Sequence, residues 1–228
     1  MPSMSATLPD LTPFFKKYEI LVASADALFK QIHDAYPQEV ICKKGCSSCC
    51  HALFDLSLVE ALYLNTKFNE LIVDNMQRFE VTNRASGIDR QTTKVKRELF
   101  RSVQKGKGSN EVLEDAAHLT MRCPLLSDDD ACLLYEARPV TCRIYGVPTA
   151  IGGKSLTCGK TGFQAGVTYP TVYLDKIQEY LAQLSMELAE AIDSSYTELA
   201  TMYVPVSTAL ITAYDASYLG IGGIPKED

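Results

Sequence analysis

The sequence lacks several things, and each lack closes off a class of protein. It has no excess of positive charge: the formal net charge is −6, which gives no global attraction for nucleic acid or an anionic membrane. The opening residues MPSMSATLPDLTPFF hold no basic stretch followed by an apolar one, so they do not read as a secretory leader. No hydrophobic run approaches the roughly 18 residues that a membrane-spanning helix needs. The nearest, MYVPVSTALITAYDASYLGIGG, is interrupted by Pro205, Asp215 and several glycines. An alternating strand–helix pattern is missing, which argues against an α/β fold, and there is no internal repeat. These absences point to a cytoplasmic protein with no nucleic-acid or membrane partner.

What is present fits a mainly α fold, with helices wrapped around irregular loops. With 228 residues and 46% hydrophobic content, the chain can bury a core without disulfides. Thr12 and Pro13 read as the N-cap and first residue of a helix. Phe14, Leu21, Ala25, Leu28 and Ile32 make one face of that helix, and Pro37 ends it. Ser57 and Glu60 have the spacing of a capping box, which opens a second helix. A further helical stretch spans about 69–104, with a break expected near Gly87. Its basic residues, from Arg84 to Lys107, read as a solvated face.

A long helix is expected from about Thr171. Its stripe of Leu174, Ile177, Leu181, Leu184, Leu188 and Ile192 is core packing. Pro205 then breaks the pattern. The organisation expected is an N-terminal helical segment (1–40), a cysteine-cluster domain (41–160) and a C-terminal helical segment (161–228), forming one compact unit.

The chemistry lies in the cysteines. Cys42, Cys46, Cys49 and Cys50 crowd into ICKKGCSSCCHA, and Cys123, Cys132, Cys142 and Cys158 follow in a turn-rich stretch. Thiols in a cytosolic chain stay reduced, so eight of them read as metal or redox groups rather than disulfides. Thiolates are soft ligands that select zinc, copper(I) or iron–sulfur clusters. Spacings of two and three residues let a short loop wrap one centre, and Gly45 helps that loop turn. Neighbouring side chains diverge, so only one of Cys49 and Cys50 is expected to ligate directly.

Lys43, Lys44, Arg138 and Arg143 flank the cysteines and could offset thiolate charge. His51 is a candidate ligand, although a lone histidine is more often hydrogen-bonded or exposed. His33 and His118 read as structural, and Asp128, Asp129 and Asp130 as a solvated turn. Few apolar repeats mark the 123–158 stretch, so its order is expected to come from ligation.

Taken together, CKKGCSSCC and CPLL…DDDACLLYEARPVTCRIYG resemble the YkgJ-like cysteine-cluster family of zinc- or iron-chelating domains. The correspondence runs through Cys42, Cys46, Cys49 and Cys50, then Cys123-Pro124-Leu125-Leu126. Cys132, Tyr135, Arg138-Pro139 and Cys142-Arg143 complete it over about residues 42–158. The resemblance implies metal binding.

A related branch, the flagellin lysine N-methylases, is thought to use an iron–sulfur cluster with S-adenosylmethionine. Catalysis of methyl-transfer or redox type is therefore the alternative, with no catalytic residue assigned, and a structural zinc domain for a protein partner is a third reading. C-x3-C-x2-C is also the radical S-adenosylmethionine spacing, but the strand–helix repeats of that barrel are missing. The expected ligands are all eight cysteines. Iron or an iron–sulfur cluster is favoured over zinc, because eight thiols exceed the four of a structural zinc site. The two cysteine groups are expected to converge on one site.

Overall fold

The computed structural model describes residues 8–43, 45–108, 111 and 119–222. Lys44 and His118 lie outside the described residues. Helix accounts for 53% of the chain and the sheets are small, so the fold is mainly α.

Helix α1 spans Thr12–Ala35. Thr12 is the first helical residue and not the cap: Leu11 takes the N-cap position without a side-chain cap, and Asp10 Oδ1, one residue earlier, accepts the Thr12 amide at 2.9 Å. Pro13 suits the first turn, where its missing N–H has no partner to lose. The buried face is Tyr18, Ala25 and Ile32, with Phe14 and Leu21 packed beside it. Leu28, expected on that face, points outward and is 42% exposed. Tyr36, held away from helical geometry before Pro37, ends the helix.

Helix α2 (Leu58–Leu71) opens on the expected capping box. Glu60 is buried, and its Oε2 accepts from the Ser57 amide at 3.2 Å and the Ser57 hydroxyl at 3.0 Å. Its Oε1 faces the Tyr18 hydroxyl at 3.5 Å and the Val140 amide at 3.4 Å. One carboxyl thus ties α1 and α2 to the second cysteine segment. Burial pushes its pKa up, against the hydrogen bonds that favour the charged form.

Helix α3 runs unbroken over Asn75–Gln104. The break expected near Gly87 falls instead at residues 72–74, where Asp74 accepts the Gln77 amide at 2.7 Å and restarts the helix. A single interior glycine costs a helix only about 1 kcal/mol, which a 30-residue helix absorbs. The basic residues of α3 are largely solvated, as expected. Lys96 is an exception, pairing with Asp55 at 2.6 Å.

Strand β1 (Asp55–Ser57) leads into α2, and α4 is the short helix Val140–Ile144. After it, β2 (Thr149–Ile151) pairs antiparallel with β3 (Lys154–Leu156) and parallel with β4 (Val172–Tyr173). Helix α5 follows at Leu174–Ala191, three residues later than its pattern suggests, because β4 takes Val172 and Tyr173. Leu181, Leu184, Leu188 and Ile192 are buried as expected, and Leu174 and Ile177 pack at the edge.

Strand β5 (Tyr203–Pro205) pairs antiparallel with β1, and Pro205 caps α6 (Val206–Ile211). Helix α6 lies on α3, where the Thr208 hydroxyl donates to Asp89.

One expectation is overturned here. The 123–158 segment sends Leu125, Leu134, Val140, Ile144 and Val147 into the same core as α1, α2 and α5. Its apolar residues are buried from turns and one short helix, so no regular period shows in the sequence. Ligation is therefore not the sole source of its order. Among the described residues, no helix is long and apolar enough to cross a membrane.

Candidate metal centre

The first cysteine group follows α1. Gly45 turns the chain with φ +90, a conformation that side chains with a Cβ rarely adopt. A 3-10 turn over Ser48–His51 then carries Cys49 and Cys50. His51 Nδ1 lies 3.0 Å from the Ser47 carbonyl, the hydrogen-bonded role expected of a lone histidine.

The second group returns alongside. The Cys123 amide donates to the Cys50 carbonyl at 2.7 Å, and the Met121 amide to the His51 carbonyl at 3.0 Å. A tight reversal follows, with Leu126 and Cys132 bridged across it and Asp130 near its tip at φ 55. Helix α4 supplies Cys142. Two cysteine groups about 70 residues apart in the chain thus meet, as the sequence suggested.

Between them lies a cavity of about 550 Å³. Cys42, Cys46, Cys49, Cys50, Cys123, Cys132 and Cys142 all line it. Cys158 does not line it. It is near enough to Cys42 to help raise that thiol's pKa, and its carbonyl accepts from the Thr161 amide and hydroxyl.

The adjacent Cys49 and Cys50 do not diverge. Within the 3-10 turn their Sγ atoms are 4.0 Å apart. Tetrahedral thiolate ligands with bonds of about 2.3 Å sit roughly 3.8 Å from one another, so this pair is spaced as two ligands of one ion would be.

The thiols do not ionise alike. Cys49 is drawn down to about 3, first by the Cys142 thiol and then by the Cys50 thiol, with the charge of Arg138 assisting. Cys142 and Cys50 rise in consequence, because each would have to ionise beside an existing thiolate. Burial pushes Cys42 and Cys123 up to about 12 and raises Cys132 as well. Of these six thiols Cys49 is the most disposed to ionise, and a bound cation would let more of them do so.

Do these residues fit a metal? Among the described residues, no three of His, Cys, Asp or Glu are already gathered closely enough to hold an ion. The donor chemistry nonetheless fits, since seven soft ligands surround one cavity. A cysteine sulfur moves by rotation about χ1 alone, so side-chain turns can bring sulfurs closer together.

The flanking cations divide into two roles. Arg138 lies over the Tyr135 ring at 3.9 Å, donates to the Tyr135 carbonyl at 2.8 Å, and acts on Cys49 and Cys132. Arg143 is buried and committed elsewhere. It pairs with Asp26 of α1, and donates to the Arg138 carbonyl at 3.0 Å and to the Glu136 carbonyl. It is a clamp on the Cys142 segment more than a counter-charge. Lys43 lines the cavity. Asp128 stays at the exposed turn, 3.8 Å from Arg122, and Asp130 reaches the cavity wall.

Two contributors had little or no sequence signal. Asp26 sits 117 residues before its partner Arg143. Gly146 ends the quoted motif CRIYG, and a Cβ there would lie 2.1 Å from Cys42 Sγ and 3.1 Å from Cys42 Cβ. Gly146→Ala is therefore expected to push Cys42 out of place and lower metal content. Metal per chain after anaerobic purification measures it, and an unchanged content would show that Cys42 has room to spare.

The fold and site together define a helical protein built around a thiol-lined cavity. A family model described as "CxxCxxCC: Putative zinc- or iron-chelating domain" matches residues 41–159, just over half the chain, and the chain belongs to that family. No curated protein and no solved structure matches it. Family membership supports chelation of zinc or iron through the cysteines.

Proposed function

We propose that this protein binds iron, as an iron–sulfur cluster, through thiolates drawn from Cys42, Cys46, Cys49, Cys50, Cys123, Cys132, Cys142 and Cys158. The observation that carries this reading is the convergence of seven of those cysteines on one cavity from two distant segments. Seven lining thiols exceed the four that one zinc ion or one cluster takes, so the preference for a cluster rests on the charge beside the thiols. Arg138, close enough to stabilise thiolates at Cys49 and Cys132, suits an anionic cluster whose potential depends on nearby charge.

Zinc is the second reading, in which the same loops close around a structural ion. A cluster facing open volume also leaves room for redox or methyl-transfer chemistry, for which no catalytic residue is assigned. The working location is the cytoplasm, where the thiols stay reduced.

Anaerobic purification followed by metal analysis tests the reading. The expected protein is brown, absorbs broadly near about 400 nm, and bleaches on reduction, as thiolate-ligated iron–sulfur clusters do. Colourless protein with stoichiometric zinc, and no iron after reconstitution, would replace it with the structural zinc reading.

A further inference from the structure

The outward face of α3 carries a pattern that the fold does not use. The helix buries Val81, Ala85 and Thr92. On the opposite side, Met76, Phe79, Asn83 and Gly87 follow one another at steps of three and four. Arg90, Lys94, Arg97 and Arg101 continue the same steps. That spacing makes one straight seam about 38 Å long. Gly87 is half-buried, and the other seven side chains are exposed.

The two ends of the seam differ in chemistry. At the first end, Met76 is 67% exposed and Phe79 65% exposed, beside the exposed Leu71 and Val73 of the α2–α3 elbow. Single exposed apolar side chains are ordinary, but four within nine residues mark a contact surface. At the second end, none of Arg90, Lys94, Arg97 and Arg101 has an ion-pair partner among the described residues. Like charges three and four residues apart repel, which works against the helix that carries them. This row of cations stands on a chain with a net charge of −6. The exposed Phe100 shares a shallow groove with Arg97 and Arg101.

Gly87 sits between the two ends. A Cβ there would meet only Arg90 Nη2, at 3.9 Å, so no contact within the chain demands a glycine. Glycine is a poor helix former, and its use at this point weakens α3. What it offers is bare backbone on an exposed seam, which another helix can approach closely.

We propose that this seam seats an acidic amphipathic helix of another protein. Its apolar end lies on Met76 and Phe79, its middle passes close over Gly87, and its carboxylates meet Arg90, Lys94, Arg97 and Arg101. Charge complementarity selects this partner. A second copy of the chain fits neither way round. Parallel seams would set cation against cation, and antiparallel ones would set Met76 and Phe79 against Arg101 and Arg97. A nucleic acid would leave the apolar end unused and would meet the repulsion of the chain's net negative charge. The seam faces away from the buried side of α3, so the inference does not depend on which metal is bound.

Fluorescence anisotropy of a labelled synthetic helix, titrated with the full-length protein at low salt, tests it. The probe is about 26 residues long, enough to span the seam. It carries leucine at the two seam positions nearest one end, alanine at the middle and glutamate at the four nearest the other end. A second peptide has lysine in place of each glutamate. The glutamate peptide should bind saturably, and more weakly as salt is raised. The lysine peptide should bind at least about tenfold more weakly. Arg97→Glu combined with Arg101→Glu should cost at least about tenfold in affinity, and Phe79→Ser about fivefold or more. Gly87→Gln should also weaken binding about tenfold, while its melting temperature stays or rises, because glutamine is the better helix former. A loss in that variant therefore cannot come from unfolding.

No saturable binding of the glutamate peptide would overturn the proposal, as would equal binding of the two peptides. Unchanged affinity in any of the three variants would overturn it as well. Sedimentation of the protein alone tests the second copy: a dimer that Phe79→Ser dissolves would replace the proposed partner with this chain. Duplex DNA that binds more tightly than the glutamate peptide, and is lost with Arg97→Glu and Arg101→Glu, would replace it with a nucleic acid.

Discussion

Arg143→Ala should cost the metal-free protein about 3 kcal/mol of folding stability, the low end of the range for breaking a buried ion pair. The guanidinium is 5% exposed and has three separate partners. Asp26 is 44% exposed on its side chain, so water screens part of that attraction and the low end is the right choice. The larger loss comes from the Arg138 and Glu136 carbonyls, which are left without their donor. Lysine should rescue little, because one ammonium cannot reproduce a planar fork reaching three groups. Urea unfolding of chelated, reduced protein measures it. A loss under about 1 kcal/mol would place Arg143 among ordinary surface charges, where ion pairs are worth that or less.

Cys49→Ser and Cys158→Ser should differ widely in metal affinity. Cys49 sits between Cys50 and Cys142 and is the thiol most disposed to ionise. Its loss should weaken binding by roughly a hundredfold or more, beyond the 10–100-fold that supporting residues typically contribute. Cys158 is near Cys42 but does not line the cavity, and its loss should stay within that supporting range. Competition with a chelator at neutral pH, under reducing conditions, ranks the two. Equal losses would put Cys158 in the centre itself, and an unaffected Cys49→Ser would remove the proposed heart of the site.

Much of this site was legible in the sequence, because ligand chemistry writes itself in residue types at short spacings. The convergence of the two cysteine groups followed from the inability of either to make a comfortable four-thiolate site. The Ser57–Glu60 box and the α5 stripe were equally plain, since both are local patterns. What escaped was decided by distant neighbours. Asp26 meets Arg143 only because α1 packs on α4. Gly146 matters through the position of Cys42, over 100 residues earlier.

Gly87 shows the opposite error. A local breaker was overridden by the length of a helix whose real boundary is set by Asp74. The core role of 123–158 was hidden for a third reason. Leu125, Leu134 and Val147 are buried from turns, which have no period to detect.

The central claim is that cysteine sulfur holds the metal, and X-ray absorption at the metal edge of the anaerobically purified protein tests it most directly. The account predicts a first shell of about four sulfurs near 2.3 Å, with iron–iron scattering beyond it if a cluster is bound. A first shell made only of nitrogen and oxygen, near 2.0–2.2 Å, would contradict it.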